Sequence, residues 1–194
     1  MYAIRINILL TKYLNEWNED VLKSNFEDET KEYYDAKLKI YRNIIEAYDL
    51  FKQIFRILLL FHSVGTFLLT LCFVQLIIEV LHLPKTYSYF YQPFATMSLL
   101  WLLKDVSYII VQNLFLEKFY LTIEESETVC IQHLKKLECS DIYKQFCKKV
   151  LHIKRASFTK MNACGLFDID AEMSLNLVGL LTSYLVVLLQ FDFL

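Results

Sequence analysis

The chain has 194 residues, 56% of them apolar, and a formal net charge of −2. That near-neutral balance, with no clustered basic face, speaks against a nucleic-acid partner. Mean hydropathy is +0.34, above the usual range of soluble domains, and only three Gly and two Pro punctuate the chain. The composition points to an all-α integral membrane bundle of long helices.

In chain order, Met1 to Leu22 reads as an amphipathic helix with apolar Ile4, Ile8, Leu9, Tyr13 and Leu14. Ile6 to Leu10 is too short for the apolar core of a signal peptide, and no small-residue cleavage site follows. Residues 23–35 are charge-dense and read as a solvated connector. From Ala36 a helical pattern resumes through Tyr41, Ile44, Ile45, Tyr48, Phe51 and Phe55, at spacings of three and four. No breaker separates it from residues 57–78, which contain no Asp, Glu, Lys or Arg. At about 1.5 Å per residue this run reaches ~33 Å, enough for a bilayer core.

Tyr87 to Leu116 is a second apolar stretch, interrupted by Lys104 and Asp105. Ionisable residues inside a span usually face a protein interior or a water cavity, so this pair is a candidate ligand vestibule. His62 and Gln75, in the first span, are open between a pocket and inter-helix hydrogen bonds. The second span continues inward from Phe115 to about Leu137, with Glu117, Glu124 and Glu127 offering partners to nearby Lys. Residues 173–191 form a second uncharged run, of 19 residues. Asp168, Asp170 and Glu172 suit the N-terminal turns of that last helix, where the dipole favours negative charge.

Lys and Arg number nine in residues 1–56, one in 79–97 and nine in 117–172. The positive-inside rule then places the first and third segments in the cytoplasm and Leu194 outside. Pro84 and Pro93 fall in the outer connection, where a helical hairpin breaks. The expected organisation is a cytoplasmic helical segment over 1–52, a transmembrane helix over 53–83, and a short extracellular loop over 84–93. A second transmembrane helix over 94–116, a cytoplasmic helical segment over 117–172 and a third transmembrane helix over 173–192 complete it.

Cys130 with His133, and Cys147 with His152, could be imagined as metal ligands. The second pair is five residues apart, which does not suit one helix face, and there is no CxxC, so no cofactor or metal is implied. No phosphate loop, nucleophile elbow or HExxH occurs, so an enzyme is not expected.

Residues 182–191 read TSYLVVLLQF. Tyr184, five apolar residues, then Gln190 and Phe191 resemble the signature of insect gustatory receptors, with Ser183 where that family usually has Thr. Ala163-Cys164-Gly165-Leu166-Phe167 resembles the family's approach to its last span. Glu124, Thr128 and His133 resemble polar positions of its last cytoplasmic loop. The resemblance covers the whole chain but only the last three of the family's seven spans. It implies a ligand-gated cation channel of four subunits in the plasma membrane, with an internal N-terminus and an external C-terminus. The expected partners are membrane lipid, other receptor subunits in a homo- or hetero-tetramer, a small-molecule tastant and permeant cations.

The resemblance also implies that the last helix surrounds the pore, with Gln190 and Phe191 near its narrow outer part. Asp192 would then place carboxylates at the outer mouth, where they concentrate cations. Tyr184, six residues before Gln190, is expected to pack against a neighbouring helix. The rival expectation is a truncated assembly subunit that pairs with full-length subunits but neither conducts nor senses.

Overall fold

The computed structural model describes residues 2–23, 30–82, 85–135 and 140–192, apart from the side chains of 81, 82, 85–90, 191 and 192. The described residues form five helices: α1 (Tyr2–Lys23), α2 (Lys31–His82), α3 (Lys85–Lys135), α4 (Asp141–Ser157) and α5 (Ala171–Asp192). The expected all-helical fold is what the chain adopts. Two compact units divide it: Met1–Phe55 with Phe115–Met161, and Arg56–Leu114 with Asn162–Leu194.

The first unit packs helix on helix around aromatic side chains. On α1, Ala3, Leu10, Leu14, Trp17 and Val21 are buried, a stripe with helical spacing. They meet a core that includes Tyr41, Ile45 and Tyr48 of α2, Leu116, Phe119, Tyr120 and Ile123 of α3, and Tyr143, Phe146 and Val150 of α4. Trp17 lies 4.8 Å from Tyr41 and 6.1 Å from Phe146, centroid to centroid. Its indole N–H donates to the Lys37 carbonyl at 2.9 Å, so the ring is buried without orphaning its polar atom.

Polar side chains tie α1 to α3 inside this core. Asn18 Nδ2 donates to the Thr122 carbonyl at 3.2 Å, and the Ser126 hydroxyl donates to Asn18 Oδ1 at 2.7 Å. Ser140 caps α4, its hydroxyl accepting Ile142 N–H at 3.3 Å. Glu127 of α3 pairs with Lys154 and, at 3.8 Å, with Arg155 of α4. Glu117 stands 4.0 Å from Lys160. Two of the three expected glutamates thus find their cations.

Two boundaries differ from the sequence expectation. Helix α2 starts at Lys31 rather than Ala36. The reason is tertiary: Tyr34 is buried against Tyr143 and Phe146, with centroids 5.5 and 5.2 Å away. Burying that ring outweighs the charge density that suggested a connector. Helix α3 starts at Lys85, so residues 85–93 of the loop expected over 84–93 are helical. Pro93 lies within that helix and removes a single backbone donor, which helices tolerate at the cost of a local distortion. Pro84 lies outside the described residues, as do Cys139 and Leu194.

In the second unit the membrane-length portions of α2 and α3 join α5 and the segment that leads into it. Among the described residues, three helices are long and apolar enough to cross a membrane, and only 17, 6 and 6% of their most apolar windows is buried within the chain. Apolar surface left open to that extent belongs in lipid or against other membrane helices. The buried face of α2 here, Leu59, Ser63, Thr66 and Thr70, is mostly polar. Small hydroxyl-bearing residues allow close helix approach where lipid gives no hydrophobic drive.

Candidate pore helix

Helix α5 is built from a turn, a cap and an apolar run. Cys164 and Gly165 have φ of 54° and 83°, and Leu166 N–H donates to the Ala163 carbonyl at 3.0 Å. Two successive positive φ values make a tight turn that glycine adopts freely and cysteine does not. Ala163 N–H donates to the Phe167 carbonyl at 2.8 Å, and an isolated antiparallel bridge joins Asn162 to Asp168. The Asn162 side chain holds the turn from inside. Its Oδ1 accepts Gly165 N–H, and its Nδ2 donates to Asp168 Oδ1 at 2.8 Å. Asp170 then caps α5, its Oδ1 accepting Met173 N–H at 3.1 Å. Of the three acidic residues expected at this end, Asp170 is the cap, Glu172 lies in the first turn and Asp168 serves the turn before the helix.

Along α5 most of the polar and small residues, though not Ser174 or Thr182, fall on one stripe. Glu172, Asn176, Gly179, Ser183, Val186 and Gln190 are separated by four, three, four, three and four residues, and all six are exposed within the chain. A second row, Leu177, Leu181, Tyr184 and Leu188, is half-buried. Tyr184 is half-buried, while Ser183 and Gln190 share the exposed stripe. The Ser183 hydroxyl donates to the Gly179 carbonyl at 2.9 Å, and Thr182 donates to the Val178 carbonyl at 2.8 Å, so neither leaves an unsatisfied donor. Gln190 extends the stripe toward the C-terminal end of α5. Phe191 and Asp192 are helical, but their side chains lie outside the described residues. At 100° per residue Phe191 occupies the register of the Tyr184 row. The sequence reading fixed on the motif and missed the stripe, although its heptad-like spacing was present in the sequence.

Lys104 and Asp105 are brought together at 3.0 Å, and the Lys104 ammonium lies 4.0 Å from the Trp101 ring centroid. The Lys104 side chain is 60% exposed and that of Asp105 17%. The charges are thus spent on each other and on a ring face. A cavity of about 500 Å³ in this unit is lined instead by Ser63, Val64 and Phe67 of α2 and by Met173, Asn176 and Leu177 of α5, among others. Neither Lys104 nor Asp105 lines it. His62 stacks edge-on to Tyr108 at 5.3 Å, and Gln75 Nε2 reaches Glu79 at 3.5 Å.

Two buried amides on α3 also escaped the sequence reading. Asn113 Nδ2 donates to the Ser174 hydroxyl of α5 at 2.9 Å and lies 3.4 Å from Met173 Sδ. Gln112 beside it is 1% exposed, and its amide meets no hydrogen-bond partner. Nothing in an apolar run distinguishes a buried amide from one that faces a pore.

No curated protein matches the sequence. A family model described as 7tm Chemosensory receptor matches residues 1–194, the whole chain. With three membrane-length helices, a capped and largely unburied last helix and that full-length match, the chain belongs to the 7tm chemosensory receptor family and is a membrane-spanning chemoreceptor.

Proposed function

We propose that the chain is the pore-bearing part of a gustatory receptor subunit, and that α5 lines the conduction path of a ligand-gated cation channel. The observation that carries this reading is the stripe from Glu172 to Gln190, polar or small at five of its six positions and exposed along its length. In lipid such a row is costly; around a water-filled axis shared with copies of the same helix it is favourable. The row offers passing cations one carboxylate, two amides and a hydroxyl per subunit. Phe191 belongs to the register of the half-buried row, so its ring would narrow the path from the flank of α5 rather than from the stripe, and Asp192 would add a carboxylate at the mouth. The unburied apolar faces of α2, α3 and α5 supply the surface that lipid and further subunits would cover.

Cysteine scanning tests the reading in a conducting assembly that contains the chain. Cysteines at Asn176, Ser183 and Gln190 should react with a charged aqueous thiol reagent and change the current. Cysteines at Leu177, Leu181 and Leu188 should react slowly or not at all. Equal reactivity of the two rows, or reaction without effect on current, would remove α5 from the conduction path.

A further inference from the structure

We propose that Cys130 of α3 and Cys147 of α4 are a peroxide-responsive thiol pair, whose oxidation to a disulfide staples the two helices together. Both thiols are free and fully buried, at 0% exposure. The contacts on either side of them set the register of the two helices. Glu127 meets Lys154 at one end. At the other, the His133 ring meets the Tyr143 ring edge-on, with centroids 5.5 Å apart. Glu127, Cys130 and His133 follow at steps of three along α3, while Tyr143, Cys147, Val150 and Lys154 follow at steps of four, three and four along α4. In an antiparallel pair so registered, Cys130 falls opposite Cys147 and Val150. The thiols accordingly touch, the Cys130 S–H donating to Cys147 Sγ. Sequence spacing sets each cysteine near a histidine; the fold sets the cysteines against each other. Among the described residues, no group of three His, Cys, Asp or Glu is placed to hold a metal ion.

A solitary buried cysteine acts as a small apolar filler; pairing gives these two distinct roles. The hydrogen bond from Cys130, with a lesser contribution from the Tyr143 phenol, holds the Cys147 thiol below its ordinary value against the opposing effect of burial. Cys130, the donor, is pushed up by that same hydrogen bond and by burial. Cys147 is therefore the attacking thiol and Cys130 the resolving one. Enclosure selects the oxidant, since a site closed to water admits a small neutral molecule and excludes a charged or bulky disulfide. Hydrogen peroxide is of that class. The Cys147 thiolate attacks one peroxide oxygen, an S–O bond forms, the O–O bond breaks, and the leaving hydroxide takes up the proton Cys147 released. The Cys130 sulfur then attacks the Cys147 sulfur, the S–S bond forms, the S–O bond breaks, and hydroxide leaves with the Cys130 proton as a second water. Two electrons pass from the thiols to the peroxide. A dithiol reductant returns them, as the transient, redox-sensing disulfides of reducing compartments require.

The pair is independent of whether α5 lines a pore, and it is tested on the 194-residue chain in lipid nanodiscs without any current. After treatment with hydrogen peroxide and blocking of the remaining thiols, tryptic digestion without reduction should yield residues 119–135 joined to residues 145–148. Dithiothreitol should release them. The oxidised chain should unfold at a higher temperature than the reduced one, because the bond closes a loop in the unfolded chain. Cys130→Ser should leave Cys147 to be trapped as a sulfenic acid by dimedone, whereas Cys147→Ser should leave Cys130 unlabelled. Two inert buried thiols would show no such asymmetry. The peptide map of the unsubstituted chain decides the matter if either serine variant fails to fold. Absence of the joined peptides while the exposed Cys164 is oxidised would overturn the inference. Joined peptides that form only in denaturant would overturn it as well.

Discussion

The Tyr120 hydroxyl accepts the backbone N–H of Met161 at 3.1 Å and stands 3.4 Å from the Tyr48 hydroxyl, which in turn donates to the Thr159 carbonyl at 3.3 Å. Met161, Tyr120 and Tyr48 are each at most 1% exposed. Two phenols thus fix the segment that follows α4, supplying partners that no helix provides. Tyr120→Phe keeps the ring packing and leaves a buried N–H without its acceptor. The expected loss is about 1–3 kcal/mol, seen as a lower midpoint in thermal unfolding in detergent. An unchanged midpoint would show that another acceptor reaches Met161.

Burial, followed by the neighbouring Tyr120 phenol, pushes the Tyr48 phenol well above its ordinary value. Burial does the same to Tyr41 and Tyr143. A phenol whose folded pKa lies above its unfolded value, about 10, contributes its stabilisation fully below that value. The contribution is lost as pH rises toward the folded pKa. Stability should therefore fall above roughly pH 10, and Tyr48→Phe should make the fall shallower. Identical pH profiles for the two proteins would remove Tyr48 from this linkage.

Gly165→Ala tests the turn before α5. The residue has φ of 83°, and a Cβ added there meets nothing within 4 Å, so the cost is purely conformational. An L-residue held in that region loses about 1–2 kcal/mol. Cys164→Gly should act the other way, since Cys164 already occupies the left-handed region at φ 54°. Thermal unfolding of the two variants should move in opposite directions.

How much of this could be read from the sequence depends on what each feature owes to long-range contact. The uncharged runs at 57–78 and 173–191 announced α2 and α5, because a bilayer demands unbroken apolar length. The start of α2 at Lys31 was hidden, since only the approach of Tyr143 and Phe146 makes Tyr34 a core residue. The helical stretch before Pro93 was hidden by a breaker that the helix absorbs. At the pore helix, Gln190 and Ser183 were legible as a motif, but the stripe they share with Asn176 and Glu172 needed the helix phase. Gln112 and Asn113 could not be told apart from lining residues, because their role depends on which face of α3 meets α5.

The charge counts, nine, one and nine Lys and Arg around the first two spans, predict a topology that labelling can check. A tag after Leu194 should be reached by antibody on intact cells, and a tag before Met1 only after permeabilisation. The opposite pattern would invert every assignment of inner and outer ends, including which end of the α5 stripe faces the cytoplasm.

The chemistry of the mouth gives the sharpest test of the pore reading. Gln190, Phe191 and Asp192 are successive positions at the C-terminal end of α5, 100° apart in register, so their contributions to a mouth are separable. Asp192 ends α5, and its influence is a local concentration of cations, independent of direct contact. In a conducting assembly Asp192→Asn should lower single-channel cation conductance, most at low ionic strength, where screening is weak. Phe191→Ala should instead raise the current that flows without ligand, because a smaller apolar ring excludes water less well. Gln190→Ala should change ion selectivity, since the amide dipoles that replace hydration are lost. Surface levels should stay normal in all three, because none adds a charge to the lipid-facing run. Unchanged conductance in Asp192→Asn would dismiss the carboxylate ring while leaving Gln190 in place. Unchanged leak and selectivity in the other two variants would take the gate away from this end of α5 altogether.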